Sequence, residues 1–167
     1  MGAPSLEGWS ANAVALAGTF AVTFGAAALG GYASVSSAAF YATLEKPSWA
    51  PSAAVFGPVW TVLYSLMAIS AFLVVREVGW RAALVPLVVY VAQLVLNAAW
   101  TWLFFAWRLG GAALAEILVL VVVIALNVLV FWRVRPFAGA LLVPYLAWVC
   151  FATLLTWSLW RSNPGVL

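Results

Sequence analysis

Five stretches of this chain, at about residues 10–31, 56–75, 84–107, 112–132 and 137–160, are each apolar for about 20 residues or more. At 1.5 Å of rise per residue, a helix of that length crosses a hydrocarbon core about 30 Å thick. Backbone groups in lipid must find partners inside the protein, so such runs read as membrane helices. The connections at 76–83, 108–111 and 133–136 are short, which places consecutive helices antiparallel and side by side. The predicted fold class is an all-α integral membrane protein. It is a five-transmembrane-helix up-and-down bundle, one domain over residues 1–167, with a long capping loop at 32–55 between the first two helices.

Composition excludes the main alternatives. With 68% hydrophobic and 7% charged residues, the chain lies far from soluble proteins, which are about half apolar and a quarter charged. A net charge of +3 over seven basic residues is too dispersed to form the basic face that binds nucleic acid. The lone Cys150 supports neither a disulfide framework nor a thiolate metal site. There is no histidine and no aspartate, which removes a Ser-His-Asp triad and the commonest haem and zinc ligands. No metal and no required cofactor are expected. The N-terminus lacks a basic n-region, so the first run reads as a retained helix. Leu6 stands where a myristoylation signal after Gly2 needs Ser or Thr. Arg76, Arg81, Arg133 and Arg135 fall on the side of the N-terminus, against Lys46, Arg108 and Arg161 on the other. That small excess places the N-terminus in the cytoplasm, and the Ala, Val and Leu bias suggests a bacterial cell membrane.

Within the spans, the polar residues are the informative ones. Gln93, Asn97, Trp100 and Thr101 form a polar and aromatic stripe on one face of the third helix. Glu116 and Asn127, eleven residues apart, lie nearly on one face of the fourth. Amides and carboxyls are costly in lipid and should face the bundle interior, either joining helices or serving a ligand. The small residues of the first helix read as packing. In the fifth helix, Tyr145, Trp148 and Ala152 share a face. Trp148 lies midway along its span, away from any interfacial belt, so an inward contact is expected. Trp157, Trp160 and Arg161 close that span as a belt with a snorkelling cation.

The stretch Leu44 to Tyr64 holds the only lysine, Lys46, and three of the eight prolines, Pro47, Pro51 and Pro58. Pro47 and Pro51 hold the chain extended and out of helix, so a connection this rich in Pro and Trp is a folded cap rather than a slack linker. Pro58 suits the first turn of the second helix. It sets Trp60, Tyr64 and Met67 on one face, an interfacial position for Trp60 being the competing reading.

Four blocks carry a family resemblance: Tyr41-Ala-Thr-Leu-Glu-Lys-Pro-Ser-Trp49-Ala-Pro51, Gly57-Pro-Val-Trp-Thr-Val-Leu-Tyr64, Gln93-Leu-Val-Leu-Asn-Ala-Ala-Trp100 and Pro144-Tyr-Leu-Ala-Trp-Val-Cys-Phe-Ala-Thr153. In order and spacing, over nearly the whole chain, they resemble the translocator protein family, also called tryptophan-rich sensory proteins or peripheral-type benzodiazepine receptors. The resemblance implies five membrane helices, often a homodimer, with the first long loop closing a pocket. It implies binding of protoporphyrin IX or a related tetrapyrrole, of sterols, and of synthetic ligands. It also implies a sensor or scavenger role, with light-driven porphyrin degradation at Trp60 and Trp148 as the enzymatic alternative. Tyr41, Asn97 and Ala152 match ligand-sensitive positions. Trp49, Tyr64, Trp100 and Tyr145 complete the expected ligand-binding set, with Lys46, Pro47 and Pro51 as lid.

The chain departs from the family pattern at Phe40, which stands where tryptophan is usual, and at Ser52, which replaces a proline. Trp157 replaces the tyrosine of a C-terminal cholesterol motif whose Arg161 remains, and this weakens the sterol expectation. A porphyrin or sterol transporter is the remaining alternative, against which stand the lack of a duplicated half and of paired interrupted helices. Aromatic surface, a few amides and the cations near the pocket mouth can stack on a macrocycle and pair with its propionates.

Overall fold

A computed structural model describes residues 8–35 and 37–167; the reading of Gly2 and Leu6 lies outside the described residues. Five long apolar helices are present, as the sequence predicts. They are α1 (Trp9–Ala33), α3 (Ala53–Ala82), α4 (Leu84–Thr101), α5 (Gly110–Val134) and α6 (Pro136–Ser162), with a short α2 (Ser37–Thr43) in the long connection. The protein is therefore a multi-pass membrane protein. Successive spans alternate in direction, so α2, the α4–α5 turn and the C-terminal end of α6 gather at one end of the bundle.

Several boundaries differ from the sequence expectation. The capping loop is not wholly irregular, because α2 occupies its centre and α1 and α3 extend into it. Its two prolines do keep residues 44–52 out of helix, yet they are not simply extended: the Ala50 N–H donates to the Pro47 carbonyl at 3.0 Å, closing a turn. Pro58 lies in the second turn of α3 rather than the first. Its missing N–H therefore leaves the Ala54 carbonyl without a helical partner. Helix α3 continues through Arg76 and Glu77 until Gly79, at φ 75°, ψ 163°, kinks it, and a final turn with Arg81 follows up to Ala82. Hydropathy falls where the membrane ends, but these side chains are good helix formers and the helix ends later. Beyond Thr101, α4 loosens into a π-helical turn, Trp102–Ala106.

Consecutive spans are not all nearest neighbours, contrary to the simple side-by-side expectation. Helix α3 packs mainly on α1 and α6, while α4 packs on α5 and α1. The spans thus form a ring in the order α1, α3, α6, α5, α4. The core is formed from Met67, Ala71 and Val74 of α3, Leu94 of α4, Ile117, Leu120 and Ile124 of α5, and Leu142 and Val149 of α6. Ser70 donates to the Ala138 carbonyl at 2.7 Å, fixing α3 against the start of α6. Helices α5 and α6 approach closely at Gly139, where a Cβ would fall 2.8 Å from the Trp132 backbone nitrogen. Such contact is how small residues bring helices together in lipid. Gly139→Ala should therefore open this crossing and lower the unfolding temperature by about 3–10 °C, since overpacking costs about 1–3 kcal/mol. Gly25→Ala, where nothing lies within 4 Å, should leave it unchanged; circular dichroism melts in detergent compare the two.

Candidate functional site

A buried hydrogen-bonded joint underlies the site. The Tyr64 hydroxyl of α3 donates to Asn97 Oδ1 of α4 at 2.6 Å, and Asn97 Nδ2 donates to the Tyr145 hydroxyl of α6 at 3.2 Å. All three side chains are buried. Separating them would leave polar groups unpaired in a lipid-embedded core, at about 1–3 kcal/mol each. Joining helices was one of the two readings of Asn97, and the structure shows that contact.

Three tryptophans stand one helical turn above this joint, toward the end that carries α2. Trp60 precedes Tyr64 by four residues, Trp100 follows Asn97 by three, and Trp148 follows Tyr145 by three. They line a cavity of about 300 Å³ bounded by α1, α2, α3, α4 with its π turn, and α6. Trp60 packs on Tyr64 with ring centres 5.4 Å apart and lies edge-on to Tyr145 at 6.2 Å. Trp148 is edge-on to Phe56 at 6.1 Å. The π turn adds a residue to its helix, and Phe104 and Phe105 both reach the cavity. Trp100 stacks on Phe104 at 5.5 Å and meets Phe105 edge-on at 5.8 Å. Single π turns recur at functional sites because they re-aim side chains without ending the helix. Arg108, just beyond, takes φ 55° and lays its guanidinium over the Phe40 ring at 4.7 Å.

The predicted site residues separate into four groups. Tyr41, Trp60, Tyr64, Trp100, Trp148 and Ala152 line the cavity. Asn97 and Tyr145 lie behind Tyr64 as its hydrogen-bonded support. Trp49 is 50% exposed and packs edge-on against Phe151 at 5.8 Å, on the far side of the wall that Trp148 forms. Trp157, 51% exposed, and Arg161 face outward. Trp160, expected in an interfacial belt, is instead folded over Gly110 and Gly111, where a Cβ on Gly110 would come within 2.6 Å of its ring. The sequence reading missed Phe56, Phe104, Phe105, Leu155, Thr156 and Leu159. Phe56 lies four residues before Trp60, and the α6 residues continue the Tyr145–Ala152 face. Extending that periodicity would have found all but Phe104 and Phe105, which depend on the π turn.

The cap also works differently from the expectation. Lys46, Pro47 and Pro51 line a shallower outer groove, and the wall over the cavity is α2 through Ser37, Ala38 and Tyr41. Lys46 is not free to meet a ligand carboxylate. Its Nζ donates to the carbonyls of Tyr41 and Leu44 at 2.8 Å and of Ala42 at 3.3 Å, and lies 5.1 Å from the Tyr41 ring centre. The cation thus closes the C-terminus of α2, where exposed carbonyls attract it. The Tyr41 hydroxyl donates to the Pro51 carbonyl at 3.0 Å, and burial pushes its pKa up.

Phe40, Tyr41 and Leu44 bury themselves against Phe104, Leu155 and Leu159, at about 1.5–3 kcal/mol per side chain. A polar clasp is added by Asn163, which accepts from the Glu45 N–H at 2.8 Å and donates to the Glu45 carbonyl at 3.0 Å. A clasp worth about 1 kcal/mol per bond is the weaker element. It fixes the register of the cap, while the apolar anchors hold it down.

These features define a multi-pass membrane protein whose five spans enclose an aromatic pocket under a folded cap. A family model described as TspO/MBR family matches residues 17–161, and the chain belongs to that family. Its relatives include the Translocator protein of Homo sapiens, 44% identical over 128 residues, covering 75% of this chain and 76% of that one. The Tryptophan-rich protein TspO of Chlorobaculum tepidum is 41% identical over 127 residues, 75% and 80% of the two chains. Protein CrtK of Rhodobacter capsulatus is 41% identical over 153 residues, 87% and 93%.

Because the apolar anchors dominate, Asn163→Ala should loosen the clasp without lifting the cap. Hydrogen exchange should show the Glu45 amide about tenfold faster, the equivalent of one lost hydrogen bond. The helical amide of Tyr41 should be unchanged.

Proposed function

We propose that this protein is a membrane tetrapyrrole-binding sensor or scavenger whose pocket takes protoporphyrin IX or a closely related macrocycle. The observation that carries this reading is the convergence of Trp60, Trp100 and Trp148 on one cavity, with Phe56, Tyr64 and Phe104 between them. Flat aromatic walls favour a flat aromatic ligand through offset and edge-on contacts. The cavity is at the small end of the range of about 300–1,000 Å³ for ligand sites. A tetrapyrrole fills more than this, and an outward movement of α2 would admit it.

The engagement of the Lys46 ammonium with three carbonyls changes how propionates would be received and leaves the exposed Arg108, over the Phe40 ring, as the cation nearest the cap. The propionates meet hydroxyls on the cavity wall, from Ser37 and Thr156, or project past the cap to Arg108 and water. Sterols and synthetic ligands compete for the same apolar space. The outward position of Trp157 and Arg161 separates any sterol contact there from this pocket.

A second reading, light- or oxygen-dependent breakage of the macrocycle through the indoles, draws on the same observation, since Trp60 and Trp148 line one cavity. Titrating protoporphyrin IX into the purified protein while following tryptophan fluorescence should give saturable quenching. Trp60→Phe and Trp148→Phe should each weaken the apparent Kd about threefold to tenfold, the scale of one aromatic contact. Unsaturable quenching, or identical Kd values in all three proteins, would overturn the binding proposal. Under illumination, equal product formation by the double Phe variant removes the second reading while leaving the first.

A further inference from the structure

One level below the Tyr64–Asn97–Tyr145 joint, two amides are wholly buried and make no hydrogen bond with any protein group among the described residues. They are Gln93 of α4 and Asn127 of α5, each at 0% exposure, with both the nitrogen and the oxygen of each side chain unpaired. The register of the two helices places them at similar levels. Tyr90 of α4 stacks on Phe131 of α5 with ring centres 5.8 Å apart. Gln93 lies three residues from Tyr90 toward the cap, and Asn127 lies four residues from Phe131 in the same direction, because the helices are antiparallel. Their levels differ by about 1.5 Å. Both belong to the buried faces of their helices.

Four unpaired polar groups at one level of a lipid-embedded bundle would cost several kcal/mol. Native structures rarely leave such groups without partners. We infer that Gln93 and Asn127 form an internal site for ordered water between α4 and α5, with each amide both donating to it and accepting from it. A buried water needs two to four polar partners, and the pair supplies them.

The position gives the site a role. Along one face of α4, Tyr90, Gln93 and Asn97 follow at successive turns. Tyr90 shares a hydrogen bond of 2.6 Å with Thr23 of α1, and Asn97 holds the joint beneath the pocket. Water at Gln93 and Asn127 fills the interval between these two networks. The result is a polar column through the interior of the bundle, ending under the pocket floor.

The test uses the fact that Gln93 is the only glutamine in the chain. Glutamine labelled with 15N on its side chain gives a single NH2 signal in the intact protein in deuterated detergent. A cross-peak from bound water to that signal is expected, and Asn127→Leu should abolish it. Absence of the cross-peak in the parent protein overturns the inference, as does its persistence in Asn127→Leu. Melting curves add a second readout. Gln93→Leu and Asn127→Leu should each lower the unfolding temperature by about 3–10 °C by stranding the other amide, and the double variant should recover most of the loss. Additive losses overturn a shared site.

Discussion

The hydrogen-bonded joint between Tyr64, Asn97 and Tyr145 is the contact on which the pocket depends. In lipid, helices gain little by excluding water, so van der Waals packing and buried hydrogen bonds set their relative positions. This joint ties three of the five spans at one level, and helical geometry does the rest. One turn toward the cap from each member stands a tryptophan, and the three indoles are thereby brought to one cavity. In the ring order α1, α3, α6, α5, α4, helix α3 lies against α6, where Ser70 bonds the Ala138 carbonyl and Trp60 meets Tyr145 edge-on, rather than chiefly against its successor in sequence.

The cap illustrates a division between apolar and polar contributions. Phe40, Tyr41 and Leu44 supply the adhesion, while Asn163, Lys46 and the Tyr41 hydroxyl fix register and satisfy backbone groups. The Lys46 ammonium is committed to the cap's own carbonyls. For a membrane pocket this is a sparing use of charge, since every cation brought inward must be compensated there.

Much of the fold was legible in the sequence because its determinants are local. Spanning length, antiparallel connection and the inward faces of Trp60, Tyr64, Trp148 and Ala152 all follow from composition and a period of 3.6. What was not legible depends on contacts between elements. The π turn that admits Phe104 and Phe105 has no marker in WLFFA. The commitment of Lys46 to α2 requires knowing that α2 exists. Trp157 and Trp160, three residues apart, look alike as belt residues, yet the second is folded over Gly110 and Gly111. Asn97 and Gln93 likewise share a face and differ only in whether α3 and α6 present hydroxyls at their levels.

The central claim is that the three indoles above the joint, under α2, form the ligand site of this member of the TspO/MBR family. A crystal structure of the protein with protoporphyrin IX tests it most directly. The account predicts macrocycle density between Trp60 and Trp148, with Tyr41 displaced outward from its present position and the Tyr64–Asn97–Tyr145 joint intact beneath. Density confined to the outer face around Trp157 and Arg161, with the pocket unchanged, would contradict it.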